Sequence, residues 1–168
     1  MPKPLREISR DIVTSTWREV EHYNSSTLAR LTERLEQSQP HVMPFVLSTT
    51  QDAGPAVQQL AVYLTHLLFR MEEKVKGEAM GKIPEATLVE LYRGNRSWLD
   101  EREFVNRLID ESIKKGEKLC QPQLLDYLVQ ALFEEIEGGV VLTLEKKRRL
   151  FLVLKTVVDG YEAAMQAR

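Results

Sequence analysis

Three histidines and one cysteine are the side chains of this 168-residue chain best suited to nucleophilic, acid–base or metal chemistry. Glu19-Val20-Glu21-His22 has the Glu-x-x-His spacing, which sets both side chains on one helical face. Di-iron carboxylate bundles use that spacing, but they need a second copy and further glutamates on facing helices. Only one copy exists, so Glu19 and His22 read as a surface carboxylate beside a boundary histidine. His66 lies in the most apolar part of the chain, one turn before Arg70 and two before Glu73. Such a histidine ordinarily stays neutral and bonds a backbone carbonyl or a nearby acid. The sharper alternative puts His66 and Arg70 in a small-ligand pocket between helices.

Cys120 precedes Pro122 and has no defined histidine partner, so it reads as a half-buried thiol. Glu72-Glu73 and Glu134-Glu135 are adjacent on helices and diverge by about 100°, so neither pair makes an acid–base dyad by itself. There is no nucleophile elbow, Walker-type loop, dinucleotide fingerprint or His-Glu-x-x-His. No catalytic residue, metal ligand set or cofactor is expected.

Two segments stand out as contact candidates. Leu91-Tyr92-Arg93-Gly94-Asn95-Arg96-Ser97-Trp98 gathers two arginines, an amide and two aromatics at what reads as a helix–helix turn. Tyr92, Arg93, Asn95, Arg96 and Trp98 are residue types that form protein hot spots, and the following helix N-terminus would favour an anion. The basic run Lys146–Arg149 sits near a helix N-terminus, and Glu134, Glu135 and Glu137 sit at the preceding helix C-terminus. Each cluster opposes its own helix dipole by about 0.3–1 kcal/mol per charge. A short antiparallel hairpin would place them side by side and offset the mismatch, which makes the run structural before it is a nucleic-acid or membrane patch.

These side chains are carried by helices. Apolar residues recur at helical spacing nearly everywhere and strand alternation is almost absent. Val13, Trp17, Val20, Asn24, Leu28, Leu31 and Leu35 step by fours and threes along one stripe between Leu5 and Leu35. Asn24-Ser25-Ser26-Thr27 interrupts it with cap-forming residues. One reading is a break at Asn24. The other, preferred because the stripe keeps phase, is a single helix about 50 Å long. That helix would overhang a domain about 40 Å across and seek a partner. Residues 1–38 would then be a semi-independent helical extension, with Val13, Trp17, Val20, Leu28, Leu31 and Leu35 as self-association residues.

His41–Thr50 can be helical only after Pro44. Asp52-Ala53-Gly54-Pro55 opens a helix over about 55–76, apolar nearly all round and therefore central, with Gly77 closing it. Further helices are expected over about 85–93, ending at Gly94, then from Asp100 or Ser97 through Phe104, Leu108 and Ile113 to Gly116. Another runs from Pro122 through Ile136, and the last covers about 144–166, capped by Thr143.

Hydrophobic residues make up 43% and charged residues 29%, a globular rather than disordered balance. One cysteine excludes an internal disulfide. Twenty-three basic and 25 acidic residues give a net charge of −2. The balance also holds within each stretch, so no segment projects the one-signed field of a duplex-binding protein. The longest apolar runs fall short of the roughly 20 residues that span a bilayer, and no secretory signal is read at the start; a cytosolic location without membrane contact is the expectation. The whole reads as an all-α single-domain bundle of seven or eight helices around a buried helix at about 55–76. The expected function is non-catalytic: a protein-interaction or regulatory protein, a homodimer or the partner of another protein. A nucleic-acid regulator using Arg93, Arg96 and Lys146–Arg149 is one alternative. A ligand-binding or enzymatic bundle with His66 in a pocket is the other.

Overall fold

A computed structural model describes residues 7–102, 111–112, 116, 119–133 and 142–166. These residues form seven α-helices and no strand: α1 (Arg10–Glu21), α2 (Ser25–Ser38), α3 (Val42–Thr50), α4 (Pro55–Lys76), α5 (Glu85–Asp100), α6 (Pro122–Phe133) and α7 (Leu144–Gln166). Single 3₁₀ turns follow α3 and α4 at Gln51–Ala53 and Gly77–Ala79. The fold is an all-α bundle, and no described helix is long and apolar enough to cross a membrane. The stripe residues Phe104, Val105, Leu108, Ile109 and Ile113, the end of α6 at Ile136 and the acids Glu134, Glu135 and Glu137 lie outside the described residues.

Helix α4 is central, as its all-round apolar pattern requires, and packs against α1, α2, α3 and α7. Pro55 opens it at a position where the missing N–H has no helical partner to lose. Gly54 at φ +101° makes the preceding turn. Gly77 closes it at φ +51°, its N–H donating to the Glu73 carbonyl. Helix α7 is a second centre: from Leu150 to Val158 every residue is buried, and it packs against α3, α4, α5 and α6. Thr143 caps it as expected, its hydroxyl accepting from the Lys146 N–H at 3.2 Å.

The N-terminal stripe is not one helix. It breaks between Glu21 and Ser25, where the Asn24 side chain accepts from the Thr27 N–H at 2.8 Å and starts α2. Helices α1 and α2 then both fold onto α4, so nothing overhangs. The stripe serves the internal core: Val13, Val20, Leu31 and Leu35 are buried. Trp17 packs its ring on Tyr63 of α4 and Tyr127 of α6, and of the stripe's apolar residues only Leu28 is left exposed. The break does not disturb the phase because both halves bury the same stripe against one helix.

Two further boundaries differ from the expectation. Helix α3 begins at Val42, ahead of Pro44, because a proline in the first turn removes an N–H that would be unsatisfied anyway. Helix α5 passes through Gly94 to Asp100. Gly94 lies on the exposed side with open space around it, while Asn95 and Leu99 beyond it are buried. Packing on α7 continues the helix past a residue whose propensity would end it.

Candidate functional site

The unbroken α5 repositions the contact candidates. On a helix, Asn95 and Trp98 turn into the seam with α7, while Arg93 and Arg96 stay exposed. Asn95 Nδ2 donates to Thr156 Oγ1 at 3.2 Å and Asp159 Oδ2 at 3.0 Å, and its Oδ1 accepts from Lys155 Nζ at 2.8 Å. Lys155 also pairs with Asp159 at 2.8 Å. The Trp98 ring lies between Lys155 Nζ, 4.8 Å from its centroid, and Arg102 Cζ, 4.6 Å away. Asn95 and Trp98 are therefore parts of the α5–α7 seam rather than free contact residues. No turn exists at Gly94, so no helix N-terminus opens there for an anion.

Val89, Arg93, Arg96 and Asp100 form one exposed stripe of α5, at intervals of four, three and four. Its C-terminal end faces a cleft of about 430 Å³ between α3, α5 and α7. Tyr92, Arg96, Leu99 and Asp100 line it from α5. Ser48, Thr49 and Asp52 line it from α3 and the turn that follows, and Glu145, Arg148, Arg149 and Leu152 from α7. The volume is within the range of small-ligand and side-chain pockets.

The three guanidinium groups differ in how they are held. Arg149 Nη1 donates to Asp52 Oδ1 at 2.7 Å and to the Thr49 carbonyl at 3.1 Å. This hydrogen bond holds the Asp52 carboxyl below the usual carboxylate range and pushes the Arg149 guanidinium up. Arg148 donates to the Leu99 carbonyl at 3.0 Å and the Arg102 carbonyl at 3.4 Å, closing the C-terminal end of α5. Arg96 is exposed and has no hydrogen bond or ion pair among the described residues. Tyr92 is half-buried with its ring edge-to-face on Phe45, 5.6 Å between centroids. Leu144, at 62% exposure the most exposed large apolar residue described, immediately precedes Glu145 of the lining.

The other sequence candidates are occupied by packing. His66 Nδ1 donates to the Val62 carbonyl at 2.8 Å, and Nε2 meets the Thr32 hydroxyl at 2.9 Å. Arg70 bonds Glu19 at 2.7 Å and Glu73 at 3.3 Å, and neither His66 nor Arg70 lines the cleft. Burial pulls the Glu19 carboxyl up, but Arg70, Lys74 and Tyr23 together hold it down at about 2. Glu19 thus ties α1 to α4 rather than serving a metal, and His22 Nδ1 bonds the Arg18 carbonyl at 2.7 Å. Among the described residues no three His, Cys, Asp or Glu side chains converge as metal ligands. Cys120 is half-buried; burial first, then Asp159 and Glu162, push its thiol up to about 11, far from nucleophile range.

One cluster has no counterpart in the sequence reading. Lys76 Nζ lies 2.6 Å from Glu72 and 3.1 Å from Glu162, with the Glu72 and Lys76 side chains wholly enclosed. Burial pushes the Glu72 carboxyl up to about 7, against the opposing pull of Lys76. The Tyr161 hydroxyl, also buried, has no hydrogen-bond partner among the described residues. The signal present was the i, i+4 spacing of Glu72 and Lys76 on a helix apolar nearly all round. The pair is sealed from solvent, so it acts on stability. No protein-family model, curated protein or solved structure matches the chain.

Proposed function

We propose that this chain is a non-catalytic helical interaction protein that binds another protein through the α3–α5–α7 cleft. The observation carrying this reading is Arg96, exposed and unpartnered among the described residues, in one cleft with Tyr92, Arg148 and Arg149. Arginine and tyrosine are the residue types that dominate protein hot spots when they line a recess. The exposed Leu144 beside the cleft adds apolar surface of the kind a partner covers. The stripe residues Val13, Val20, Leu31 and Leu35 belong to the core, which favours this face over the N-terminal helices for contact.

The test is a photo-crosslinking side chain placed at Arg93, on the exposed stripe of α5 beside the cleft, and at Arg30, exposed on α2, as a control. The reading expects a discrete adduct with a different protein from position 93, lost when Arg96→Glu is added, and none from position 30. An adduct with nucleic acid, or equal yields from both positions, would contradict it.

A further inference from the structure

We infer that the segment entering α1 is a proton-controlled latch: a proton in the Glu72–Lys76–Glu162 cluster keeps it shut through Gln121, and loss of that proton loosens it at Ile8. None of these residues lines the α3–α5–α7 cleft.

The latch is held by side chains. Ile8 is fully buried, and its N–H donates to Gln121 Oε1 at 2.7 Å. Two residues on, the Arg10 N–H donates to Gln123 Oε1 at 3.0 Å, and Gln123 Nε2 donates back to Glu7 at 3.1 Å. The two glutamines are anchored differently. Gln123 is exposed and answers to Glu7 on the latch itself. Gln121 is buried at φ +53°, a left-handed conformation uncommon outside glycine, and its Nε2 reaches Glu162 Oε2 at 3.5 Å. The same Glu162 oxygen accepts from Lys76 Nζ at 3.1 Å, and Lys76 lies 2.6 Å from Glu72. A continuous set of contacts therefore runs from Glu72 to the Ile8 N–H.

In this cluster one ammonium faces two carboxylates. With a proton on Glu72 the cluster is neutral; without it, an excess negative charge sits in an enclosed space, which is costly. The Glu72 and Lys76 side chains are wholly enclosed, whereas that of Glu162 is 20% exposed. Glu162 is the member with a way to water, so it is the one that yields. Its departure takes the acceptor from the Gln121 amide and loosens the hold on Ile8. Burial above all, with the Glu162 charge acting in the same direction, pushes the Glu72 carboxyl up to about 7 against the pull of Lys76. Moving Glu162 away makes Glu72 easier to ionise, so by reciprocity ionising Glu72 favours moving Glu162 away.

The other charged and titratable groups nearby are committed elsewhere. On α4, Glu73 pairs with Arg34 of α2 and with Arg70, Lys74 pairs with Glu19 of α1, and His66 faces Thr32 of α2. On α7, Asp159 pairs with Lys155, and burial raises the Tyr161 phenol well above its ordinary range. Cys120, beside Gln121, has its thiol pushed up to about 11 by burial. Helix α3 carries no ionisable side chain, Asp52 of the turn after it is held by Arg149, and Glu78 of the turn after α4 is exposed.

The test is amide hydrogen exchange of the full chain by NMR from about pH 5.5 to 8, each rate divided by the unstructured rate at that pH. Ile8 should lose protection about fivefold or more over that range, while Leu128 in α6 keeps its own. Glu72→Gln cannot ionise, and Glu162→Gln leaves one carboxylate for Lys76, so each should hold the Ile8 protection constant. Either variant answers if the other fails to fold, and wild type answers by itself if both fail. Ile8 protection that stays constant in wild type, that falls equally in a folded variant, or that falls only together with Leu128 would overturn the inference.

Discussion

Glu72 has the strongest consequence of any single residue. Its carboxyl is wholly enclosed beside Lys76, and burial lifts it to about 7 from an ordinary 4.5. A carboxyl that binds its proton more tightly folded than unfolded stabilises the fold below the unfolded value. That contribution is lost as pH rises from about 4.5 through about 7. Glu72→Gln carries no proton to lose and leaves Lys76 paired with Glu162. Urea denaturation should find the variant gaining on wild type as pH rises from 5 to 8, by on the order of 1–3 kcal/mol. A gap that stays constant or narrows would mean that Glu72 is ionised in the fold at both pH values. The sequence offered the types and spacing of Glu72 and Lys76 but not their enclosure, which depends on Glu162 of α7, 86 residues away from Lys76.

At the scale of elements, local chemistry wrote several boundaries plainly. Thr143 caps α7, and Gly54-Pro55 and Gly77 delimit α4, because caps and turns are decided within a few residues. Gly94 was misleading for the converse reason. Its low propensity is local, but the continuation of α5 is decided by Asn95 and Leu99 buried at the α7 seam. The two alternatives give opposite signs for Gly94→Ala. In the middle of an exposed helix with open space around it, alanine should stabilise by about 0.5–1 kcal/mol. At a helix-ending glycine of left-handed conformation it would destabilise. Thermal or urea denaturation of the variant reads the sign directly. Asn24 shows the same tension resolved the other way: its capping chemistry overrode a stripe that kept phase, since α1 and α2 each reach α4 after the break.

For the whole molecule, the arrangement that gives the cleft its shape is the α5–α7 seam. Lys155, Asn95, Asp159 and Trp98 fix α5 against α7, and Arg148 closes the end of α5. Arg96 and Arg149 are thereby held on two rigid helices facing one space, with α3 as the third wall. Sequence reading grouped Arg96 with the Lys146–Arg149 run by residue type alone, as a nucleic-acid alternative. Their proximity was not legible, because it depends on α5 running past Gly94 and on a fold that brings positions 96 and 149 to one cleft. The expected pairing of the basic run with the preceding acids involves residues outside those described, whereas Arg148 and Arg149 face α5 and α3. The most direct measurement is the photo-crosslink from position 93. The cleft account predicts one discrete adduct with another protein, lost on Arg96→Glu and absent from the control at position 30. An adduct with nucleic acid, or equal yields from both positions, would contradict it.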